Sequence, residues 1–461
     1  MIKQSWRNEN MYTEKKPTKV RFLILLMLFV AVAITYLDRA NLSVAGTAIQ
    51  KQLKINSTQL GVLFSAFTWS YVIVQIPVGM ILDKIGARFL YGGAMVLWGF
   101  FTFIMAFSSQ GLFAGIGASF MVLIVCRILI GIAEGPAFPS NTKIAALWFP
   151  NKERARAISI YSSAQYIGLA VFTPILAFMV AKISWESVFY LSGGIAIVFG
   201  IIWLAVYRDP KDSKRINQEE LDYLKNNGAY NPNEIGAKKE DKISLDEILY
   251  VIKQRRVWGI FITQFAVAST LYFFMTWFIV YLQKGLKLPI QKAGFMAILP
   301  YMMAMAGVLF GGFLSDYLLK KTSLTVARKI PIVAGLLFTS ILCLANFFEK
   351  TPIIAVIILS IAFFANAASN LGWVALSDVL PKSMIGRVGG VLNLCGNLSG
   401  IVSPIIFGVL HQKTGNFHLA MDYTSAVAVV GALAFLFIVD KVEPVDLSKK
   451  FHANEDIKVI K

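Results

Sequence analysis

Four charged residues stand inside stretches of the chain that are otherwise apolar. Asp38 and Arg39 interrupt the first apolar run, and Arg127 and Glu134 interrupt the fourth. A charged side chain at the centre of a lipid bilayer costs about 2.5–3.5 kcal/mol, so four unpaired charges would together cost roughly 10–14 kcal/mol. We therefore expect all four to face the interior of a helical bundle, where they pair with one another or bind a charged ligand.

The spacing of these residues limits how they can pair. Arg127 and Glu134 are seven apart, so they lie on one face of a helix but about 10 Å from each other along its axis. Asp38 and Arg39 are neighbours about 100° apart around their helix, so each addresses a different partner. Asp38 can meet Arg127. Arg39 can meet either Glu134 or the carboxylate of a bound substrate, and the sequence leaves this choice open.

An arginine and a carboxylic acid can together couple the movement of an anion to that of a proton. Arginine binds a carboxylate through two parallel hydrogen bonds and keeps its charge. Arg39 is therefore the predicted substrate clamp, with Tyr36 on the same face. Asp38 and Glu134 are the predicted proton carriers, because burial disfavours the charged form of an acid whereas a nearby arginine favours it. Arg127 completes the charge network. In the alternative reading, the four charges only neutralise each other and hold two helices together.

The composition indicates which solvent surrounds these charges. The chain has 461 residues, of which 57% are hydrophobic and 15% charged, and its mean hydropathy is +0.64. This is too apolar for a soluble protein of this length, so the lipid bilayer is the predicted solvent. The net charge of +18 would suit a nucleic-acid binder. However, the basic residues punctuate the apolar runs and do not gather in one patch, so we expect no nucleic-acid partner.

Twelve stretches are long and apolar enough to cross a bilayer of about 30 Å as helices. The predicted helices 1 to 12 cover residues 21–42, 58–82, 88–108, 112–142, 156–181, 187–207, 257–283, 290–316, 329–348, 352–377, 386–411 and 419–440. The predicted fold class is therefore an all-α membrane protein. Asp38 and Arg39 would interrupt the apolar core of a signal peptide, so the first run is predicted to be a permanent helix.

Basic residues distinguish the two sides of the predicted membrane protein. Of the 44 lysines and arginines, 34 lie on the side that holds both termini and the long loop after helix 6, and 8 lie on the other side. Cytoplasmic loops carry such an excess of positive charge. Both termini are therefore predicted to be cytoplasmic.

The chain divides into two six-helix bundles with a linker between them. Its predicted parts are an N-terminal tail, a first bundle, a linker, a second bundle and a C-terminal tail, at residues 1–20, 21–207, 208–256, 257–440 and 441–461. The linker is predicted to form two short amphipathic helices. Each begins at a predicted capping box, at Asn217/Glu220 and at Ser244/Glu247.

A Gly-x-x-x-Asp module recurs at the same place in each half. It runs from Gly79 to Asp83 between helices 2 and 3, where Arg88 follows, and from Gly312 to Asp316 between helices 8 and 9. Recurrence at corresponding positions indicates a duplicated bundle. Asp83, Arg88 and Asp316 are predicted to be ion-paired latches that hold one conformational state, so they should affect a rate more than an affinity.

Polar side chains recur on interior faces of several predicted helices. They are Tyr71 with Gln75, Tyr161 with Gln165, Gln264, the i, i+4, i+7 face of Asn366, Asn370 and Trp373, and Asn393 with Asn397. A cavity for a polyhydroxylated anion needs such amides and phenols beside its cation. Each residue taken singly is also explained by an interhelical hydrogen bond.

The loop from Gly79 to Arg88 resembles the hallmark loop of the major facilitator superfamily, and Arg127 to Gly131 is similar to a pattern in helix 4 of that family. A narrower resemblance is to the anion:cation symporter family of bacterial sugar-acid carriers. It is carried by Tyr36-Leu-Asp38-Arg39-Ala-Asn41-Leu-Ser43, Phe64-Ser-Ala-Phe-Thr-Trp69-Ser-Tyr71, Arg127 through Glu134, Trp148-Phe-Pro150 with Glu153-Arg154, Tyr272-Phe-Phe-Met-Thr-Trp277, and Gly389-Gly-Val-Leu-Asn393-Leu-Cys-Gly-Asn397.

The resemblance implies two six-helix bundles around a central cavity and a site in the bacterial inner (plasma) membrane. It further implies proton-coupled import of a sugar-acid anion by alternating access. The implied substrates are aldonates, aldarates or hexuronates, such as galactonate, glucarate and glucuronate. The implied contacts to the substrate's hydroxyl and carboxylate groups are Tyr71, Gln165, Gln264 and Asn393, with Asn370 and Trp373 as further contacts.

Several alternatives stay open at this point. Within transport they are another organic anion, such as a small carboxylate or a phosphate ester, export in place of import, and sodium in place of the proton. A membrane sensor would need a larger soluble output domain than a loop of about 50 residues provides. An intramembrane enzyme would need a catalytic set such as a Ser/His pair. We expect no enzyme activity, no cofactor, no metal and a monomer.

Overall fold

The computed structural model of this chain describes residues 17–110, 115–229, 245–381 and 384–445. Within these residues, twelve helices are long enough and apolar enough to cross a membrane. Helices 1 to 12 are Val20–Gln52, Ser57–Ile85, Ala87–Met105, Gly117–Trp148, Asn151–Lys182, Glu186–Val206, Arg255–Lys284, Ile290–Leu319, Leu324–Phe348, Pro352–Val379, Ile385–Thr414 and His418–Val439. The prediction of an all-α membrane protein is confirmed.

Most helix ends lie within a few residues of their predicted positions. Helix 1 is an exception, because it continues past its predicted end at residue 42 as far as Gln52. Its polar residues beyond the charged pair lie inside the bundle: Ser43 donates to the carbonyl of Thr276 at 2.8 Å. Polar groups that find partners inside a bundle do not end a spanning helix. The predicted start of helix 4, at residue 112, lies outside the described residues.

Helices 4, 7 and 10 are among the helices whose backbone hydrogen bonding changes along their length. Helix 4 consists of Ile116–Glu134 and Ala137–Trp148, helix 7 contains the π-helical segment Phe273–Trp277, and helix 10 consists of Pro352–Ala368 and Gly372–Val379. The first break directly follows Glu134, and the π segment directly follows Tyr272. Irregular turns inside helices are frequent at functional sites.

The two halves are built from equivalent helix pairs. In the first half, helix 1 packs along helix 5 and helix 3 packs along helix 6. In the second half, helix 7 packs along helix 11 and helix 9 packs along helix 12, which are the corresponding elements six helices later. This agreement supports the duplication that the recurring module indicates.

Helix 2 meets helix 11 and helix 5 meets helix 8 where the two halves join. Glycines bring the backbones of helices 2 and 11 into direct contact. A Cβ atom on Gly61 would lie 2.4 Å from the carbonyl oxygen of Pro404, and one on Gly408 would lie 2.4 Å from that of Ser57. No larger side chain fits at either position without separating the halves.

The two ends of the bundle differ in how the halves are joined. We call the end where helix 1 begins the linker end, because the linker helix Gln218–Asn226 lies there, and we call the opposite end the far end. At the far end, Thr47 Oγ1 donates to Gln283 Oε1 at 2.7 Å, and Ser57 Oγ lies 2.8 Å from His411 Nδ1. These bonds between helices 1, 2, 7 and 11 close the far end.

The first linker helix, Gln218–Asn226, is attached to the beginning of helix 1. The carboxylate of Glu220 is fully buried and accepts hydrogen bonds from the backbone N–H of Val20 at 3.0 Å and from Thr18 Oγ1 at 2.7 Å. It also pairs with Arg21, with 3.0 Å between Oε1 and Nη1. The first N–H groups of a helix have no partner inside that helix, and Glu220 supplies one from elsewhere in the chain.

This arrangement corrects one of the two predicted capping boxes. The side chain of Asn217 accepts from the backbone N–H of Glu220 at 3.0 Å, as predicted. The carboxylate of Glu220 does not return to Asn217, because the start of helix 1 uses it. Ser244, the first residue of the other predicted box, lies outside the described residues, and the helix that follows it is Leu245–Ile252.

Candidate functional site

The side chains of Arg39 and Glu134 meet between helices 1 and 4. Nε of Arg39 donates to Oε1 of Glu134 at 2.9 Å, and Nη2 donates to the same oxygen. Oε2 of Glu134 is buried and has no hydrogen-bond partner among the described residues. The sequence left two partners open for Arg39, Glu134 or a substrate carboxylate. In this structure the partner of Arg39 is Glu134 of helix 4.

Asp38 lies against Arg127, with 3.7 Å between Oδ2 and Nη1. Its other oxygen accepts hydrogen bonds from Thr102 Oγ1 at 2.5 Å and from Asn41 Nδ2 at 3.1 Å. Asn41 also donates to Ser192 on helix 6 at 3.0 Å. Side chains from helices 1, 3 and 4 therefore fix the carboxylate of Asp38, whereas that of Glu134 has one partner.

Aromatic rings surround the guanidinium group of Arg39. Its central carbon lies 5.2 Å from the ring centre of Tyr36, 5.0 Å from that of Phe67 and 5.3 Å from that of Tyr71. The same ring of Phe67 lies 5.2 Å from the guanidinium carbon of Arg127. The negative faces of aromatic rings stabilise cations in a desolvated site. Arg39 can therefore keep its charge in place when its carboxylate partner changes.

Tyr36 connects this cluster to helix 5. Its hydroxyl group donates to Oε1 of Gln165 at 2.8 Å. The structure thus brings together the predicted site residues of helices 1, 2 and 5 around Arg39. Phe67, which the sequence analysis did not single out, belongs to the same group; an aromatic residue on an apolar helix gives no signal that separates packing from cation binding.

A small cavity lies beside this cluster, between the two halves. Arg39 and Arg127 line it from the first half, and Tyr272, Met275 and Thr276 line it from the second. About 20 Å³ of it is open to the centre of a water molecule, which is room for about one water. Ligand sites are usually several hundred Å³ in volume, so a sugar-sized ligand fits here after the halves move apart.

A chain of hydrogen bonds crosses from the second half to the first. The hydroxyl group of Tyr272 donates to Oδ1 of Asn397 at 3.1 Å, and Asn397 donates to the backbone carbonyl of Asn393 at 3.0 Å. The side chain of Asn393 then donates to Gln75 on helix 2 at 2.6 Å. A Cβ atom on Gly400 would lie 2.2 Å from the ring of Tyr272, so a glycine is needed beside this ring.

Gln264 on helix 7 lies between a glycine of helix 10 and a glycine of helix 11. A Cβ atom on Gly372 would lie 2.3 Å from its Oε1 atom, and one on Gly396 would lie 3.4 Å from its Cγ atom. The Oε1 atom is buried without a hydrogen-bond partner among the described residues. A buried amide oxygen without a protein partner can accept a hydrogen bond from a donor group of a ligand.

The predicted continuous face of Asn366, Asn370 and Trp373 does not form on helix 10. Helix 10 is interrupted there, and the backbone N–H of Leu371 donates to the carbonyl of Ser369 at 2.7 Å, two residues back instead of four. This tight turn rotates the following residues away from the preceding face. Asn366 is buried, whereas Asn370 is exposed and Trp373 is 46% exposed.

The predicted latch residues of the first half have separate partners. Asp83 pairs with Lys143 on helix 4, with 2.8 Å between Oδ1 and Nζ. Arg88 donates to the carbonyl of Leu204 on helix 6 at 2.8 Å. Asp83 therefore joins helices 2 and 4 at the linker end, and Arg88 ties helix 3 to helix 6.

In the second half, Asp316 takes no part in the ion pairs at the linker end. Asp316 is exposed and forms no ion pair with any residue that the structure describes. Instead, Nε of Arg328 lies 2.7 Å from Asp378, and its Nη1 atom donates to Ser315 at 2.6 Å. The sequence analysis missed this pair, because Arg328 and Asp378 are 50 residues apart and lie near predicted helix ends.

Two equivalent six-helix halves, with a charged cavity between them that is closed at one end, define a multi-pass membrane transporter. The chain belongs to the Major Facilitator Superfamily, whose sequence profile matches residues 28–404. It is therefore a transporter and not an enzyme, as the sequence analysis predicted.

Similar proteins span nearly the whole chain. The D-galactonate transporter of Escherichia coli O6:H1 is 40% identical over 432 residues, which are 93% of this chain and 98% of that protein. The probable galactarate/D-glucarate transporter GudP of Bacillus subtilis is 37% identical over 437 residues, which are 94% of this chain and 95% of that protein.

Solved structures support the fold. The crystal structure of a D-xylose-proton symporter superimposes with a TM-score of 0.72 at 17% identity, over 91% of this chain and 98% of that one. A bacterial homologue of the human lysosomal transporter Spinster, in an inward-facing and unoccupied conformation, gives a TM-score of 0.71 at 17% identity, over 92% of this chain and 98% of that one.

Proposed function

We propose that this chain is a symporter that carries a sugar-acid anion together with a proton across the inner membrane. The names of the relatives support the substrate class, since proteins 37–40% identical to it are named as transporters of galactonate or of galactarate and glucarate. The observation that carries the proposal is the position of Arg39, a buried cation at the wall of the central cavity.

The proposed coupling step is an exchange of partners at Arg39. A substrate carboxylate takes the place of Glu134 on the guanidinium group and makes the same charge-assisted hydrogen bonds. Glu134, released in a buried environment, then takes up a proton, since a buried carboxylate without a cation is unfavourable. Asp38 is the second proposed proton carrier, and its release from Arg127 accompanies the movement of the halves.

The proposed contacts to the substrate's hydroxyl groups come from both halves. Tyr71 and Gln165 adjoin Arg39 on one side of the cavity, and Gln264 and Asn393 belong to the polar groups of the other side. The unpartnered oxygen of Gln264 and the hydrogen bond of Asn393 to the opposite half support this assignment. Asn370 and Trp373 remain proposed contacts at the exposed turn of helix 10.

We propose that the linker end faces the cytoplasm, because 34 of the 44 basic residues belong to that side of the chain. The closed far end then faces outward. Alternating access moves the bundles at 21–207 and 257–440 against each other. The first linker helix would move with the first bundle, to which Glu220 attaches it.

The test is uptake into liposomes that contain the purified protein. Labelled galactonate, glucarate and glucuronate are offered with an inward proton gradient, with a sodium gradient, or with neither. We expect accumulation of at least one of these acids that requires the proton gradient. The variant Arg39→Ala should abolish it.

Two results would contradict the proposal. Accumulation driven by sodium alone would mean that sodium and not the proton is the coupling ion. If no sugar acid is taken up, the second candidate function, a carrier of another organic anion, is favoured. Competition by unlabelled small carboxylates and phosphate esters separates these substrates, because an anion that binds at Arg39 must compete with one that is already bound there.

A further inference from the structure

The basic residues of the cavity all come from one of its two walls. Arg39 and Arg127 line it from the first half, whereas Tyr272, Met275 and Thr276 of the second half are uncharged. The hydrogen-bonded groups behind that second wall are amides and carry no charge either. A ligand in the cavity therefore meets positive charge on one side and neutral hydrogen-bonding groups on the other.

Positive charges of the second half lie elsewhere. Arg328 is its one buried basic residue in the described ranges, and it is bonded to Asp378 and Ser315 at the linker end. Arg387 stands on helix 11 six residues before Asn393, about 120° away around the helix, so it lies on another face. Neither arginine belongs to the lining of the cavity.

The two cavity arginines differ in how their carboxylate partners are held. Arg127 faces Asp38 at 3.7 Å without a hydrogen bond, and Thr102 and Asn41 hold the carboxylate of Asp38 by hydrogen bonds. Arg39 faces Glu134, whose second oxygen has no partner among the described residues. Both guanidinium groups lie on the same wall, so a ligand that spans the cavity meets them at one end only.

We infer that the site selects sugar acids with a single carboxylate, the aldonates and hexuronates, over aldarates, which carry a carboxylate at each end. The inference rests on the proposed function. Carbon–carbon bonds of about 1.5 Å place the ends of a six-carbon acid roughly 6 Å apart. With one carboxylate on Arg39, the other end of the molecule lies against the neutral wall.

The chemistry of that wall favours a hydroxyl group over a carboxylate. Amide and phenol groups such as those of Tyr272, Asn393 and Asn397 can both donate to and accept from a hydroxyl group. A carboxylate at the same place only accepts, and it would be buried without a cation, which is strongly unfavourable. The amide oxygen of Gln264, which has no partner among the described residues, can accept a hydrogen bond from a hydroxyl group but not from a carboxylate.

The test compares galactonate with galactarate. These acids share their carbon chain and the configuration of their hydroxyl groups, and they differ in whether carbon 6 is an alcohol or a carboxylate. Binding to the purified wild-type protein and proton-driven uptake in liposomes are both measured. We expect galactonate to bind at least about tenfold more tightly, a difference of about 1.4 kcal/mol, and to be the better transported acid.

A variant with a cation among the polar side chains of the second half should weaken this preference. Gln264→Lys places an ammonium group there, next to Gly396 of helix 11, and Gln264→Met is the matched control of similar length without charge. The ratio of galactarate to galactonate affinity should rise at least about tenfold in the lysine variant relative to the methionine variant. No rise would count against the inference.

The wild-type comparison decides the question even if a variant fails to fold. Galactarate bound or carried as well as galactonate would overturn the inference and leave the proposed function in place. Carriage of neither acid, nor of glucuronate, would overturn the proposed function itself.

Discussion

Arg39 binds Glu134 through a single carboxylate oxygen. Both donor atoms of the guanidinium group reach Oε1, and Oε2 is left without a partner among the described residues. Arginine–carboxylate pairs are frequently bidentate, with both carboxylate oxygens bound. The one-sided contact leaves an oxygen where a proton can be added without first breaking the ion pair.

Glu134→Gln should separate binding from coupling. The amide oxygen can still accept from Arg39, but the group can no longer bind or release a proton. We expect substrate exchange between equal concentrations inside and outside to continue, while accumulation under a proton gradient is lost. Glu134→Asp is the control, since it keeps a titratable group on a shorter side chain. Proton-driven accumulation by the glutamine variant would contradict the role of Glu134.

Arg39→Lys should weaken substrate binding although it preserves the charge. Lysine cannot offer two parallel hydrogen bonds to a carboxylate, and its ammonium group stacks less well on the rings of Tyr36 and Phe67. Loss of one charge-assisted hydrogen bond costs about 1.5–3 kcal/mol, which is roughly 10- to 150-fold in affinity. Titration calorimetry with galactonate measures this, and an unchanged affinity would contradict the clamp.

Asp38→Asn should both destabilise the protein and remove the dependence of transport on the proton gradient. Arg127 loses its negative partner, and a buried charge left without one destabilises a protein by about 3–5 kcal/mol. Thr102→Val removes one hydrogen bond to the same carboxylate and should cost about 1 kcal/mol. Thermal unfolding in detergent measures both, and equal melting temperatures would refute the buried ion pair.

Gly61→Val should prevent closure of the far end. The added side chain would meet the carbonyl oxygen of Pro404, which lies only 2.4 Å from the place that a Cβ atom on this glycine would occupy. We expect transport to fall and a cysteine placed at Thr47 to react faster with a maleimide reagent that cannot cross the membrane. Gly194→Ala is the matched control, because a Cβ atom there meets nothing within 4 Å. Equal labelling of both variants would contradict the closed interface.

Glu220→Ala should destabilise the first half without touching the cavity. It removes the acceptor for Val20 and Thr18 and the partner of Arg21. A lost helix cap costs about 0.5–2 kcal/mol, and the buried ion pair adds to this. Glu219→Ala, at the preceding residue, is the control. Thermal unfolding should separate the two variants, and substrate affinity should stay the same in both.

The sequence was sufficient for the helix count, because runs of about 20 apolar residues seldom occur outside membrane-spanning helices. It was also sufficient to place Asp38, Arg39, Arg127 and Glu134 in the interior, since charge in lipid is so costly. Their pairing could not be read from it, because the choice depends on how helices 1 and 4 are rotated against each other. Spacing along one helix says nothing about that rotation.

Other features depend on contacts that leave no trace in a local pattern. Thr102 holds Asp38 across 64 residues, yet a threonine in an apolar helix is ordinary by itself. The interruption of helix 10 displaced the predicted face of Asn370 and Trp373, since periodicity assumes a continuous helix. Tyr272 was noticed as part of a motif, but its place in the cavity became clear from the packing of helix 7.

The attachment of Glu220 to Val20 also has a consequence for biosynthesis. The two residues are 200 positions apart, so helix 1 enters the membrane long before the ribosome adds the residue that completes its first turn. All six helices of the first half must have been made by then. The attachment of the linker helix to helix 1 is therefore completed only after the chain of the first half has been made.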